Sequence, residues 1–323
     1  MSKAENQIRH ILFEVNRNNS YSSHHQNASS NGSWGGTTPD AWRRSWRILR
    51  IHSPRSRLQG SHQGDRNHGR AMNRVFVLCV GEKSVGRSQF FFRDASIENC
   101  VIAFYFWVIV AEQGPIVVDC SFGPEEAAQR SVTRYRERRE LLAACGVTPE
   151  DVQSVFVTHL HYDHWAGYAM FPNATYFVQE REIAFWQGPG RAFPIFASSA
   201  NLAAIDALEP LLRSGRIKVV NSDWAVAAGI QARLMPGHTP GLQTVTVDTP
   251  TGKVLIANDV FHFYENLAQR RPVQVTVNML EAVQSMDAVE KLGAVNPELV
   301  LPGHDPLVMR RFPEVAPGVV RVA

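Results

Sequence analysis

Three histidines and one aspartate fall within six consecutive residues of this chain, in the stretch HLHYDH at 159–164. Imidazole and carboxylate side chains grouped in this way cost free energy when a fold buries them without partners. A divalent cation is a partner that all of them can share. The fold must therefore bring this stretch to a place where its side chains can hold a cation.

The other histidines that follow residue 71 also belong to short motifs. They are His238 in PGHTPG, His262 in NDVFH and His304 in PGHDP. The remaining six of the 12 histidines lie before Met72. Histidines without a shared function would be scattered along the chain, so their restriction to short motifs indicates that they function together.

The spacing inside the first motif indicates more than one metal ion. His159 and His161 are two residues apart, so in an extended segment both side chains point to one side, and Asp163 continues this alternation. With His164 the stretch offers four ligands, too many for one tetrahedral zinc ion with an open position. Two ions would use all four, one through His159 and His161 and the other through Asp163 and His164. Further candidate ligands stand at predicted strand ends, namely His238, Asp259 and His304.

Residues 72–323 show strand and helix patterns along their whole length. Alternation and β-branched runs predict strands at 74–80, 101–111, 115–121, 154–158, 174–179, 216–221, 229–236, 243–249, 253–259 and 298–304. Helices are predicted at 124–146, 180–186, 198–214 and 278–294, and a loop at 188–194. Each histidine motif then lies at or near the C-terminal end of a strand, where rigid scaffolds place functional loops.

Residues 1–71 differ in composition from the rest of the chain. They carry 11 Lys and Arg against 4 Asp and Glu, whereas residues 72–323 carry 22 against 26, so the two parts have formal charges of +7 and −4. The first part is rich in Ser, Asn, Gly and His without a helical or strand period, and we predict a disordered basic N-terminal segment. The alternatives are a basic arm for nucleic acid, or a natural start at Met72 with the upstream residues not native to the protein.

The sequence also argues against several classes of protein. The apolar run at 100–111 is too short to span a bilayer as a helix, and the N-terminus lacks a secretory signal, so we expect a cytoplasmic protein without a membrane partner. The four cysteines are too widely spaced for a disulfide framework or a cysteine-zinc cluster. At a charge of −4, residues 72–323 offer no basic surface to a phosphate backbone, so no nucleic acid is expected.

The four motifs together resemble those of the metallo-β-lactamase superfamily. HLHYDH matches the H-x-H-x-D-H signature, and PGHTPG, the aspartate of LIAND and the later PGH resemble the remaining ligand motifs in the same order. The resemblance covers about residues 74–310. It implies an α/β protein with the αββα fold, in which two sheets lie between helices, so we expect one hydrolase domain over residues 72–323.

The resemblance also implies an assignment for each ligand. One divalent ion is bound by His159, His161 and His238, a second by Asp163, His164 and His304, and Asp259 bridges the two. Asp119 matches an aspartate that supports the site from behind the ligands, although Cys120 and Ser121 follow it where the family usually has Thr-Gly. Two divalent ions per chain are expected, with zinc favoured, since histidine and carboxylate ligands also suit iron, manganese and cobalt.

Within the superfamily the chain is most similar to the N-acyl homoserine lactonase-like group. The features that carry this similarity are HLHYDH, the helical insertion after residue 186 and the short tail after His304. We therefore expect a quorum-quenching hydrolase that opens a lactone or related cyclic ester through a hydroxide bridging two metals. The alternatives are a glyoxalase-II-like thioesterase, a cyclic-amide hydrolase and, less favoured, a nuclease or nucleic-acid-binding protein that uses residues 1–71. A small molecule is the expected partner, and an oligomer is compatible with this function.

Two residues are candidates for direct roles in catalysis. Asp163 is one, and His262 is the other, three residues after Asp259, where the resembling lactonases carry a tyrosine. An imidazole at that position could donate a hydrogen bond to a developing oxyanion or protonate the leaving oxygen. Candidates for lining the substrate pocket are Trp165, Phe261 and Tyr264, with core packing as the alternative for each.

Overall fold

The computed structural model describes residues 73–323, and the predictions made for residues 1–71 lie outside this range. The strands are β1 (Arg74–Gly86), β2 (Asn99–Ala111), β3 (Gly114–Val118), β4 (Ser154–Phe156), β5 (Thr175–Gln179), β6 (Ile217–Val220), β7 (Trp224–Ala227), β8 (Ile230–Leu234), β9 (Gln243–Thr249), β10 (Gly252–Asn258), β11 (Val300–Pro302), β12 (Glu314–Ala316) and β13 (Val319–Arg321). The α-helices are α1 (Pro124–Gln129), α2 (Arg138–Ala143), α3 (Tyr162–Trp165), α4 (Glu180–Gln187), α5 (Pro189–Ala192), α6 (Pro194–Ala197), α7 (Leu202–Asp206), α8 (Leu208–Arg213), α9 (Tyr264–Ala268), α10 (Met279–Gly293) and α11 (Val308–Arg311). Within residues 73–323, no helix is long and apolar enough to cross a bilayer.

The strands form two sheets. One has eight strands in the order β12-β13-β1-β2-β3-β4-β5-β6, and the other has five in the order β11-β10-β9-β8-β7. Trp224 of the smaller sheet stacks on Phe156 and Phe177 of the larger one, with ring centroids 5.0 and 4.8 Å apart, so the two sheets pack together at this edge. The predicted α/β class with two sheets is confirmed.

Strand β2 shows why the sequence folds in this way. Its residues Ile102 to Ile109 are all buried, and most are β-branched or aromatic. A continuous apolar run of this kind suits a central strand that is covered on both faces. Antiparallel pairing with β1 on one side and with β3 on the other gives β2 this central position, and the predicted hairpin of β2 and β3 is confirmed.

The single helix predicted at 124–146 is wrong, because the chain there forms α1 and α2 with an irregular segment between them. That segment pairs with β1 at a β-bulge: Thr133 and Glu82 exchange backbone hydrogen bonds, and the Arg136 amide donates to the Val80 carbonyl. Gly81 permits the close approach, since a Cβ there would lie 2.6 Å from Val132. Pairing with a distant strand has outweighed the local helical pattern.

The insertion after α4 also differs from its prediction. The segment predicted as a loop at 188–194 contains the short helix α5 and the first residue of α6. The single helix predicted at 198–214 is two helices, α7 and α8. The Asn201 side chain ends the irregular stretch by accepting a hydrogen bond from the Ala204 amide at the start of α7. Strands β7, β12 and β13, each three or four residues long, were not predicted.

Four strand ends carry the predicted motifs to one region, as the sequence indicated. His159 follows β4, His238 follows β8, Asp259 comes directly after β10, and His304 follows β11. The His238 loop lies directly against α10, because the Gly237 carbonyl accepts hydrogen bonds from the amides just before that helix.

Gly237→Ala should destabilise the protein more than Gly114→Ala. Both glycines have a positive φ, 137° and 117°, so alanine at either position costs about 1–3 kcal/mol of backbone strain. Only Gly237 also lacks space, since a Cβ there would lie 2.3 Å from the Cα of Ala282, whereas nothing lies within 4 Å at Gly114. Overpacking should add about 1–3 kcal/mol. Urea unfolding of the two variants measures the difference, and equal losses would contradict close packing of α10 on this loop.

Candidate metal centre

Three imidazole nitrogens converge in the first part of the site. Nδ1 of His161 lies 3.0 Å from Nε2 of His159 and 3.0 Å from Nε2 of His238. Burial lowers the pKa of all three imidazoles, to about 3 for His238, so they are neutral near pH 7. Zinc–nitrogen bonds of about 2.0–2.1 Å in a tetrahedron would set such nitrogens roughly 3.3 Å apart. The observed spacing fits one cation shared by the three rings.

Asp259 lies at the centre of the histidines. Its Oδ2 is 3.4 to 3.6 Å from the Nε2 atoms of five of them: His159, His164, His238, His262 and His304. Its Oδ1 is buried and has no hydrogen-bond partner in the described range of the chain. Burial alone would raise the pKa of this carboxyl group, but the imidazoles of His304, His164 and His262 hold it well below the usual value. Asp259 is therefore an ionised carboxylate with a free oxygen at the centre of the cluster.

A second set of ligand atoms lies on the other side of Asp259. Oδ2 of Asp163 is 3.5 Å from Nε2 of His304 and 3.6 Å from Nε2 of His164. Burial opposes protonation of both imidazoles, yet the neighbouring carboxylates outweigh it and raise the pKa of each. The His164 Nε2 is buried without a hydrogen-bond partner. The candidate ligand atoms form two groups, and within each group they all lie within 4.8 Å of one another. The first group is His159, His161, His238 and Asp259. The second group is Asp163, His164 and His304.

The local backbone differs from the predicted extended alternation. The amides of His164 and Trp165 donate to the His161 carbonyl, so His161 is the N-cap of the short helix α3 and Asp163 lies within the helix. The prediction that Asp163 continues the alternation is wrong. A helical turn moves each side chain by about 100° from the last, which separates Asp163 and His164 from the first ligand pair.

Hydrogen bonds orient three of the histidines for metal binding. Nδ1 of His164 bonds to Asp119, that of His238 to the Val275 carbonyl, and that of His304 to the Ala103 carbonyl. An acceptor at Nδ1 fixes the proton there and leaves the Nε2 lone pair free for a metal, the usual arrangement for metal-binding histidines. His262 lacks this support, since neither of its ring nitrogens has a hydrogen-bond partner among residues 73–323.

Asp119 accepts hydrogen bonds from several donors behind the ligands. Its Oδ1 accepts from the Thr158 amide at 2.7 Å, and its Oδ2 from the Thr158 hydroxyl at 2.8 Å, His164 Nδ1 at 2.8 Å and Asn258 Nδ2 at 2.7 Å. The supporting position expected for Asp119 is therefore present although Cys120 and Ser121 follow it. The Cys120 amide donates to the His164 carbonyl, which ties this turn to the ligand helix.

Thr158 and Asn258 were not predicted as part of the site. Asn258 has a left-handed backbone, with φ 48°, and its Nδ2 also donates to the Thr158 hydroxyl at 2.7 Å. Each residue directly precedes a ligand in the sequence, His159 and Asp259 respectively. Their polar side chains beside ligands at strand ends were the available signal.

A cavity of about 100 Å³ lies beside the ligands. Apart from them and His262, its walls are Phe90, Ile102, Phe104, Tyr162, Ser199 and Val275. A larger groove of about 390 Å³ near Trp224 contains none of the ligands, so it is not part of this site. The cavity at the metal ligands is small and mostly apolar.

The predicted pocket residues Trp165, Phe261 and Tyr264 do not line this cavity, and that prediction is wrong. Trp165 is fully buried, donates its indole N–H to the Ala204 carbonyl and stacks on Tyr168. Phe261 is also fully buried, and the Tyr264 ring lies under the Arg311 guanidinium. These three residues are near the ligands in sequence but pack outside the cavity, whereas Tyr162, between two ligands, lines it.

Comparison with known proteins identifies the family of this chain. Residues 105–304 match the family model described as Metallo-beta-lactamase superfamily. The N-acyl homoserine lactonase of Bacillus sp is 26% identical over 215 residues, which is 62% of this chain and 80% of that protein. The expected resemblance to the superfamily and to its lactonase group is confirmed.

Two solved structures show the shared fold. The 1.4 Å structure of an N-acyl homoserine lactone hydrolase with N-hexanoyl-L-homoserine bound at its catalytic metal centre has a TM-score of 0.64 and 19% identity, covering 76% of this chain and 98% of that one. AidC, a dizinc quorum-quenching lactonase in complex with a product, has a TM-score of 0.59 and 19% identity, covering 76% and 89%. Together with the two sheets, they confirm the αββα prediction.

Asp119→Asn should weaken both the fold and metal binding. An amide has one oxygen where the carboxylate has two, so at least one of the buried donors around Asp119 would face an NH₂ group. A buried donor without an acceptor costs about 1–3 kcal/mol, and loss of a group that orients a ligand lowers metal affinity about 10- to 100-fold. Chemical unfolding of the metal-free protein and competition with a chelator measure the two effects. Asp206→Asn, which changes an exposed carboxylate paired with Arg191, is the control and should alter neither.

Proposed function

The chain belongs to the metallo-beta-lactamase superfamily, and we propose that it is a dinuclear metal-dependent hydrolase that opens a lactone or a related cyclic ester. The observation that carries the proposal is the pair of ligand sets on either side of one buried carboxylate, Asp259. The lactonase relative and the dizinc lactonase structure support it. The same comparisons support quorum quenching as the setting, since AidC is described as a quorum-quenching lactonase.

The donors suit two divalent ions. His159, His161 and His238 would hold one ion, Asp163, His164 and His304 the other, and Asp259 both. Zinc is the proposed metal, and iron, manganese and cobalt are compatible with the same ligand types. Such a pair, when bound, supplies an acidified water as the nucleophile and polarises the carbonyl group of the substrate.

The cavity favours a small ester as the substrate. Its walls are mainly apolar, whereas its floor is formed by His161, Asp163, His238, Asp259 and His304. A lactone ring in this space would have its carbonyl towards the ligands and its carbon atoms against Phe90, Ile102 and Phe104. Asp163 lines the cavity, and its carboxylate is the proposed group that takes up a proton during ring opening.

His262 is the proposed hydrogen-bond donor to the substrate. It lines the cavity and is 2% exposed, and within the part of the chain that the structure describes neither ring nitrogen has a hydrogen-bond partner. The rings of Phe90 and His304 pack against it, at 5.0 and 4.9 Å between centroids, and restrict its movement. Burial lowers its pKa, so the ring is neutral near pH 7. A neutral imidazole can donate a hydrogen bond from its N–H to the oxygen that leaves the lactone carbonyl. The neutral state therefore favours a hydrogen-bond donor over a charged acid as the role of His262.

The proposed function is tested by a substrate panel. Protein loaded with zinc or manganese should hydrolyse a γ-lactone in preference to a thioester, a cyclic amide and a β-lactam. Asp259→Ala should abolish turnover, because the variant loses a ligand shared by both ions, whereas Asp206→Ala at the surface should have no effect. Product formation is followed by chromatography. A preference for the thioester or the amide would overturn the substrate assignment, and no hydrolysis by any loaded preparation would overturn the function.

His262→Ala should reduce turnover about 10²-fold or more while both metals remain bound, because removing one positioned hydrogen-bond donor from a developing oxyanion costs on this scale. The reduction should be smaller for esters with good leaving groups, because their leaving oxygen is stable without a hydrogen bond. Turnover is measured on a lactone and on an activated aryl ester, with metal content determined in the same samples. Unchanged turnover on every substrate would show that His262 has no part in the reaction.

A further inference from the structure

Glu182, on helix α4, is a fully buried carboxylate that lies outside the proposed ligand set. Its Oε1 accepts hydrogen bonds from the Leu160 amide at 3.0 Å and from the Trp186 indole N–H at 2.8 Å. Its Oε2 accepts from the Gly241 amide at 2.9 Å. All three donors are neutral N–H groups.

These hydrogen bonds join the two loops that carry the first set of ligands. Leu160 stands between His159 and His161, and Gly241 follows His238 by three residues. The loops are far apart in sequence, with Leu160 22 residues and Gly241 59 residues from Glu182. One carboxylate therefore fixes the backbone of both loops relative to α4.

The packing around Glu182 leaves little room for these loops to adjust. A Cβ on Gly241 would lie 2.4 Å from the Glu182 amide nitrogen, so the loop rests directly on the backbone of α4. The Trp186 ring meets the His161 ring edge to face, 5.8 Å between centroids. Helix α4 thus contacts one ligand directly and holds the loops of all three.

The second set of ligands depends on other groups. His164 is oriented by Asp119, and His304 by the Ala103 carbonyl. Neither contact involves α4. Asp119 also accepts hydrogen bonds from Thr158 beside His159, so it supports both sets, whereas the loop amides that donate to Glu182 stand beside ligands of the first set.

We infer that Glu182 is a positioning residue that sets the metal affinity of the His159, His161 and His238 position and has little effect on the other position. The inference rests on the proposed two-metal function. Metal ligands must be held close to their bound geometry before the ion arrives, and groups that orient ligands typically change metal affinity about 10- to 100-fold. Glu182 acts through the backbone of the loops and does not touch the ion.

Glu182→Gln tests this inference, because the amide keeps the size of the side chain but turns an NH₂ group towards one of the two loop amides. Each position is isolated first: His164→Ala weakens the second and leaves the first, whereas His238→Ala does the reverse. In the His164→Ala protein, Glu182→Gln should lower Co²⁺ affinity about 10-fold or more and alter the visible absorption of the bound Co²⁺. In the His238→Ala protein, Glu182→Gln should change Co²⁺ affinity by less than about threefold, which is the variation expected between substitutions at independent sites.

Glu126→Gln is the matched control in both backgrounds. Glu126 is a buried glutamate on a short helix, bonded to Arg130 and Asn201 and not to either ligand loop. It should leave Co²⁺ affinity and absorption unchanged, and a loss equal to that of Glu182→Gln would overturn the inference, since general destabilisation would then explain both.

The remaining outcomes separate the two proposals. Unchanged Co²⁺ affinity after Glu182→Gln in the His164→Ala protein overturns the positioning role. A wild-type protein that binds no metal overturns the proposed function itself. If circular dichroism shows that Glu182→Gln does not fold, Glu182→Asp takes its place, since the shorter carboxylate cannot reach both amides, and unchanged affinity in that variant likewise overturns the role.

Discussion

The crowding of imidazole nitrogens around one oxygen of Asp259 is the interaction on which the other features of this structure depend. Five rings within 3.6 Å of a buried carboxylate oxygen leave buried polar atoms unsatisfied, on His164 and on Asp259 itself. Such atoms destabilise a metal-free chain, because each has lost its hydration without gaining a partner. The scaffold must hold them together despite this cost, and metal binding would offset it.

Rigid strand ends and a few strained residues hold these polar side chains together. Asp119 and Asn258 have left-handed backbones, at φ 66° and 48°, and they are joined through the 2.7 Å hydrogen bond from Asn258 Nδ2 to Asp119 Oδ2. Such conformations cost about 1–3 kcal/mol each and persist where the surroundings determine them. Both are at the ends of strands, β3 and β10, so these two left-handed residues stand where ligands or their supports are aimed.

The ligands could be predicted from the sequence, whereas the cavity could not. Four candidate ligands lie together in HLHYDH and the other three stand in later short motifs of the same residue types, so the sequence was sufficient to select them. The cavity walls come from separate segments, such as Phe90 before β2, Ser199 in the insertion and Val275 before α10, and apolar residues there look like any others. Trp165 was chosen for its nearness in sequence, yet the turn of α3 directs it into the core. The helix predicted at 124–146 failed similarly, because Thr133 pairs with a distant strand that no local pattern reveals.

The two sets of ligands also differ in charge, and this has a consequence for how the protein meets the metals around it. One set adds three neutral imidazoles to the shared carboxylate, whereas the other adds two imidazoles and a second carboxylate, Asp163. Nitrogen-rich positions favour zinc and copper, and positions richer in oxygen accept manganese and iron more readily. The two positions of such a centre would bind different metals, and the metals bound would depend on those available while the chain folded. Preparations of one sequence from different growth media would then be chemically different proteins.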